Sequence, residues 1–365
     1  MNTFKLLTFL TLIPELKDMH KANISVGREA MKTLQEMVEK ADTLGIRVEK
    51  LKGGSTLLDC GFRALGSIEA GRLIVKICMG GLCDVRITWM DFKDFSLPAV
   101  EVRSDNPAIA GVGSQMAFWR IPKDIAGSLL GDSEGLASGP ARALAQIPKE
   151  FYEKIGYKDY VDFAILVIQS DKFSIKDFPA ESISEHVANE CKVDLKNVYL
   201  ILVPTASIAG SVQIAGRNLG IGICDSFFRI LDYDVKKVKY GIAISPIAPV
   251  VPDDIKSIGI NNDMLMYGSR NFFAIYSEEN EDWEDIIGKM VVENSPDYGK
   301  LYAEMFIEAE RNFSKIDYRN YVPSEMVIND LRTGKVYRAG KLRPDLLLKS
   351  IEKNAGFFTH VGKNQ

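Results

Sequence analysis

The sequence predicts an α+β fold of two similar halves, and three observations carry that reading. Strand-like segments come in bunches rather than in strict βαβ alternation, which argues against a doubly wound sheet. Near residue 162 the pattern restarts, with the fully apolar strand "VDFAILVIQS". Two pairs of segments also echo each other: "GSQMAFW" (113–119) with "GSRNFFA" (268–274), and "ASGPARAL" (137–144) with "AGSVQIAGRNL" (209–219). The echoes suggest an old duplication but lack the sharp period of a repeat array.

The elements follow in order. Met31, Leu34, Val38, Ala41 and Leu44 recur at helical spacing, predicting a helix over 26–44 with Gly45 as its stop. Short strands are expected over 47–51, 56–60 and 72–77, punctuated by "KGGS" and Gly61. "DVRITW" and "PAVEVRS" read as further strands. Helices are expected through "GVGSQMAFWRI" and "SGPARALAQIPKEFYEKIG". Beyond the apolar strand at 161–170, "SISEHVANEC" is helical and "NVYLILVP" is a second buried strand. "PTASIAGSVQIAGRNLGIGICD" is then a helix rich in small residues. The acidic run "SEENEDWED" is a solvated surface. The resulting organisation is an extension over 1–22, a first α+β domain over 23–155 and a second over 156–277. A C-terminal segment over 278–349 packs back on the first domain, and a tail runs over 350–365.

Bulk composition narrows the function. The chain has 365 residues, 46% hydrophobic and 26% charged, the profile of a globular protein with a real core. Its 45 basic and 49 acidic side chains give a formal charge of -4, which excludes nucleic acid or an anionic membrane as the main partner. Any anion must therefore meet a local cluster of arginines. Five cysteines form no C-x-x-C pair, and three histidines form no H-x-x-x-H pair, so no catalytic metal is expected. The thiols read as reduced structural residues of a cytoplasmic protein. "KLLTFLTLIPEL" imitates a signal sequence only weakly, because it lacks a cleavage motif and Glu15, Lys17 and Asp18 follow at once.

Four patches could carry chemistry. "ICMGGLCD" (77–84) is either a tight turn or a backbone turned toward a ligand. Ser138-Gly139-Pro140-Ala141-Arg142 opens a helix with free N–H groups beside an arginine, which is either a cap or an anion site. In "GSVQIAGRNLGIG", Ser211, Gln213 and Arg217 lie close to one helical face among small residues; tight packing against a sheet is the alternative. "INNDMLMYGS" offers Asn261, Asn262, Asp263 and Tyr267 at the exit of an apolar strand, where Asn and Asp also serve as caps. None of the four contains a Ser–His–Asp or Cys–His arrangement. A hydrolase on this chain would work with arginine, a carboxylate, amides and water.

Taken together, "ICMGGLCDV", "LPAVEV-x-SDNPAIA-x-x-GSQ", "SGPARALA", "VPTASIAGSVQI", "VKYGIAISPIAPVVPDD", "NDMLMYGS" and "VINDLRTGKVYRAG" resemble the methenyltetrahydromethanopterin cyclohydrolase family from about residue 24 to 340. The resemblance implies two α+β domains with a large pocket between them, commonly a trimer, no metal, and a cytoplasmic one-carbon role. It implies reversible hydrolysis of the methenyl compound to the N5-formyl compound, with tetrahydromethanopterin as carrier and no separate cofactor. Arg217 matches the family's catalytic arginine, but Gly220 stands where an Arg-x-x-Glu pattern has its glutamate. Asp225, five residues on, would face elsewhere on a regular helix. Gln115, Arg142, Ser211, Gln213, Asn262 and Asp263 are the expected substrate contacts, with Arg142 suited to a phosphorylated tail. Two readings follow: the family enzyme using another acid or water alone, or a pterin-binding relative without catalysis.

Overall fold

The computed structural model describes residues 24–126, 135–170 and 178–356. The expected extension over 1–22 lies outside them, as does the tail beyond 356. Twelve strands are described: β1 (Arg47–Lys50), β2 (Thr56–Asp59), β3 (Asp84–Asp91), β4 (Ser96–Ser104), β5 (Trp119–Ile121), β6 (Gly135–Ser138), β7 (Ala164–Ser170), β8 (Val198–Pro204), β9 (Val238–Pro246), β10 (Arg270–Ile275), β11 (Glu325–Asp330) and β12 (Val336–Gly340). They form two six-stranded mixed sheets, ordered β1-β2-β8-β7-β6-β5 and β12-β11-β10-β9-β4-β3. Two sheets of equal size, each flanked by helices, are the α+β pair that the sequence predicts. The division between sheets does not follow a cut at residue 155. β1 and β2 belong to the first sheet, β3 and β4 to the second, and the chain then returns to the first for β5 to β8.

β7 from Ala164 to Ile168 and β8 are almost wholly apolar because both of their faces are covered. Ile165, Val167, Ile201 and Val203 meet Leu34, Leu73 and Ile74 on one side. On the other, Leu166, Ile168, Leu200 and Leu202 meet Ile183 and Val187 of the helix Ala180–Cys191. In the second sheet Val100, Val102, Ala243, Phe273 and Ile328 point toward the molecular centre. The opposite face is covered at one end by the helices Asp254–Gly268, Tyr302–Glu308 and Pro344–Ala355. At its other end Tyr240 and Ile242 are left 50% and 44% exposed.

Between the sheets lie the helices Ile68–Cys78 and Ile208–Ala215, each with one side toward either sheet. They cross at glycines: a Cβ on Gly71 would come within 2.6 Å of Val212 Cβ, and one on Gly216 would overlap Val75. Small residues in the second helix therefore serve close helix packing.

Three sequence expectations change. The stretch 72–77 is helical, not a strand. Ser67 caps it by accepting from the Ala70 N–H at 3.0 Å, and Ala70, Leu73, Ile74 and Ile77 make one helical face on the first sheet. The expected helix over 111–121 is a wide, i+5-bonded helix over Ala108–Gln115, followed by β5. The helix through 138–156 is broken between Ala141–Ala145 and Lys149–Ile155, where Gln146 is left-handed and Pro148 offers no N–H.

Asp263, an expected substrate contact, is a buried strut. It accepts from the Tyr302 N–H at 2.8 Å and from the Ser350 hydroxyl at 2.5 Å. Burial pushes its carboxyl up to about 7 against these two donors. The folded value exceeds the unfolded one of about 3.9. Its contribution to stability is therefore complete below about pH 4 and is lost as pH rises through about 7. The isosteric Asp263→Asn never ionises. Its melting temperature is expected to gain on the parent's steadily from pH 4 to 8, and a pH-independent difference would count against this account.

Candidate active site

A cleft of about 290 Å³ opens where the two sheets and the C-terminal segment meet. Its floor is the chain after β8. Ser207 caps the helix Ile208–Ala215 by accepting from the Gly210 N–H at 3.0 Å; a short turn (Asn218–Ile221) and a wide, i+5-bonded helix (Gly222–Ile230) follow. Arg217, Ile221, Asp225 and Arg229, each four residues from the last, all line the cleft. On an ordinary α-helix four residues overshoot a turn by roughly 40°, so position 225 would lie roughly 80° from 217. The wider turns absorb that drift. This corrects the expectation that Asp225 faces elsewhere.

Arg217 is half-buried. Its Nη1 donates to the Gln115 carbonyl at 3.1 Å and its Nη2 to the Ser138 hydroxyl at 3.3 Å, while Nε is buried without a partner. Among the described residues no carboxylate lies within ion-pair distance of it. Burial accordingly lowers its pKa from the ordinary arginine value. Neutral acceptors thus hold a cation whose charge is uncompensated at the cleft wall.

Asp225 is fully buried. Arg229 Nη1 donates to its Oδ1 at 2.7 Å, and its Oδ2 has no partner. Burial raises its carboxyl to about 6, with Arg229 pulling the other way. Arg229 lies 4.2 Å from the Tyr318 ring centroid and 5.6 Å from that of Phe118, a cation sandwiched by aromatics. Met116, Ile214, Ile221 and Leu265 pack together as an apolar part of the lining.

Of the other expected contacts, Asn262 lines the cleft, with its Nδ2 donating to the Ile258 carbonyl at 2.8 Å. Gln213 stands behind it, donating at 2.7 Å to Gln169, which does line it. Gln115, Ser211, Arg142 and Asp263 do not line it. Arg142 is wholly buried and donates to the carbonyls of Ile147 at 3.1 Å and Val112 at 3.2 Å. Its guanidinium ties the wide helix Ala108–Gln115 to the next loop, so it is not available to a phosphorylated tail.

Gly220 points at Gln115 rather than into the cleft. A Cβ there would overlap Gln115 Oε1 and come 3.3 Å from Met116 Sδ. Gln115 is pinned by its Nε2, which donates to the Gly216 carbonyl at 2.8 Å.

Sequence reasoning missed Arg229, Tyr318, Tyr321 and Gln169. The acid–base spacing Asp225-x-x-x-Arg229 was a usable signal for the first. Nothing local marks the tyrosines, which reach the cleft only through the return of the C-terminal segment. Among the described residues no group of three or more His, Cys, Asp or Glu side chains could hold a metal ion, and no helix is long and apolar enough to cross a membrane.

A sequence model of the family described as Cyclohydrolase (MCH) matches residues 25–351. The methenyltetrahydromethanopterin cyclohydrolase of Methanothermobacter thermautotrophicus is 44% identical over 330 residues, covering 90% of this chain and 99% of that one. Those of Methanobrevibacter smithii and Methanocaldococcus jannaschii are 43% and 42% identical, each over 90% of this chain and 98% of their own. With the match running from the first described helix into the last, and through every segment that builds the cleft, the chain belongs to the MCH cyclohydrolase family.

Proposed function

We propose that the protein catalyses the reversible hydrolysis of 5,10-methenyltetrahydromethanopterin to the N5-formyl compound, in the one-carbon metabolism of methanogenesis. Tetrahydromethanopterin is the carrier of the reacting carbon, with no resident cofactor. The observation that carries this reading is Arg217, a cation without a carboxylate partner among the described residues, on the wall of a largely apolar cleft. The 42–44% identity to cyclohydrolases over nearly their whole length supports the substrate class.

The methenyl carbon lies between two nitrogens that share a positive charge, so it is electrophilic as bound. Addition of water with loss of one of its protons turns that cation into a neutral adduct. A fixed guanidinium repels the reactant more than the adduct, so its interaction improves along the reaction. Its unpartnered Nε is a donor for the arriving oxygen. Apolar walls suit a flat ring and exclude bulk water.

The test is to add purified protein to the methenyl compound and follow loss of its absorbance. Acceleration over buffer is expected. Gly220 favours one second reading, a relative that binds the pterin without hydrolysing it; binding without acceleration would establish that one, and neither binding nor acceleration would sink both. The homotrimer and the cytoplasmic setting implied by the resemblance belong to the same proposal. The half-exposed Tyr240 and Ile242 on the open sheet face support a contact between copies. Light scattering is expected to give three times 40.6 kDa.

A further inference from the structure

The geometry points to Asp225 as the proton-transfer residue of this cleft, taking over from one turn further along the work that the resembled family assigns to a glutamate at position 220. The inference rests on the hydrolytic reading above. Among the described residues that line the cleft, Asp225 is the only carboxylate. Its two oxygens are differently committed: Oδ1 is held by Arg229, and Oδ2 is buried with no partner. An oriented carboxylate with one uncommitted oxygen is what a general base requires. Position 220 cannot supply one in this chain, because it looks onto Gln115.

The proton balance closes with the groups present. In the hydrolytic direction a water forms a C–O bond to the methenyl carbon and gives one proton to Asp225. The cationic amidinium becomes a neutral hydroxy adduct. The protonated Asp225 then delivers that proton to the departing nitrogen, its C–N bond breaks, and the hydroxyl proton leaves to solvent as the formyl group forms. The net release is one proton.

The surroundings leave Asp225 as the group that changes charge near neutrality. Arg229 and Cys224 flank it on its own helix; Tyr321 faces it from the C-terminal segment, Asp317 and Tyr318 from the same segment face Arg229, and Arg142 lies beyond Phe118. Burial holds the Cys224 thiol and the Tyr321 hydroxyl neutral, and Arg319 holds Asp317 ionised. Asp225 itself titrates at about 6, so it is an ionised base at neutral pH and an acid strong enough to return the proton.

The experiment measures kcat and KM for the methenyl compound against pH, using the full chain and its Asp225→Asn, Asp225→Glu and Arg229→Gln variants. Thermal unfolding is recorded alongside. The parent's hydrolytic rate is expected to fall as pH drops through the acid range. Asp225→Asn is expected to lose about 10²–10⁴-fold in kcat with little change in KM, and to lose that acid limb. Asp225→Glu retains the limb at a lower rate. Arg229→Gln removes the neighbouring cation and moves the limb to higher pH. Asp225→Asn with kcat within about threefold of the parent, or with the limb intact, overturns the assignment. If Asp225→Asn does not fold, an unmoved limb in Arg229→Gln overturns it instead. An inactive parent overturns the hydrolytic reading and this assignment with it, whereas an active parent indifferent to Asp225→Asn overturns the assignment alone.

Discussion

Replacing Arg217 by alanine is expected to slow hydrolysis of the methenyl compound by about 10²–10³-fold, the usual cost of removing one preorganised charged donor. The fold should survive. Arg217 is held by the Gln115 carbonyl and the Ser138 hydroxyl, at a cleft wall where water can replace the lost donors. Removing a half-buried cation that has no carboxylate partner among the described residues also relieves a desolvation cost. The loss should therefore appear in kcat, with the melting temperature and binding of the pterin little changed. Arg217→Lys should recover only part of it, because a point charge on a flexible stem cannot hold both acceptors and keep a third donor free. Steady-state absorbance assays with parallel thermal unfolding check this. A fall of less than about threefold in Arg217→Ala would remove the residue from the chemistry.

Gly220→Glu is expected to destabilise the protein rather than simply restore a missing acid. The new Cβ overlaps Gln115 Oε1, and Gln115 can withdraw only by giving up its bond to the Gly216 carbonyl. Overpacking of this kind costs about 1–3 kcal/mol. Because the clash is with one side chain, removing that side chain should recover much of the cost. The double variant Gly220→Glu with Gln115→Ala is expected to be more stable than the sum of the single changes predicts, by about 0.5–3 kcal/mol. Denaturant unfolding of the four proteins completes the cycle. Strict additivity would mean that the glutamate finds room without Gln115 moving, and the geometric objection to an acid at 220 would then fail.

Much of the architecture was legible in local sequence. The apolar runs at 163–168 and 198–204 fit strands covered on both faces, and they lie in β7 and β8. The stretch 72–77 is ambiguous because "RLIVKI" satisfies either period over six residues; only the cap at Ser67 and the surrounding core decide it. In the site, Arg217 and Asn262 stood out as polar residues in apolar surroundings, and both line the cleft. Arg142 had the same local look at the start of a helix. Its fate was decided by a segment 30 residues away, whose carbonyls it satisfies. Asp225 was set aside on the geometry of a regular helix, and a widened turn has no sequence rule that would have reversed that. Tyr318 and Tyr321 come from about a hundred residues downstream, beyond the reach of any window.

The interleaving of the two sheets has a mechanical consequence. The chain passes from one sheet to the other after β2, after β4 and after β8, so three covalent strands cross the seam beside which the cleft lies. Any relative movement of the two layers is constrained by all three crossings together and by the helices packed between the sheets. The cleft is bounded on its outer side by the segment carrying Phe313, Tyr318 and Tyr321, whose short helical turns are closed by local backbone bonds such as Ile316 N–H to the Phe313 carbonyl. The same crossings make the molecule one cooperative unit. A nick near residue 155 would sever neither half cleanly, and both sheets should melt in a single transition.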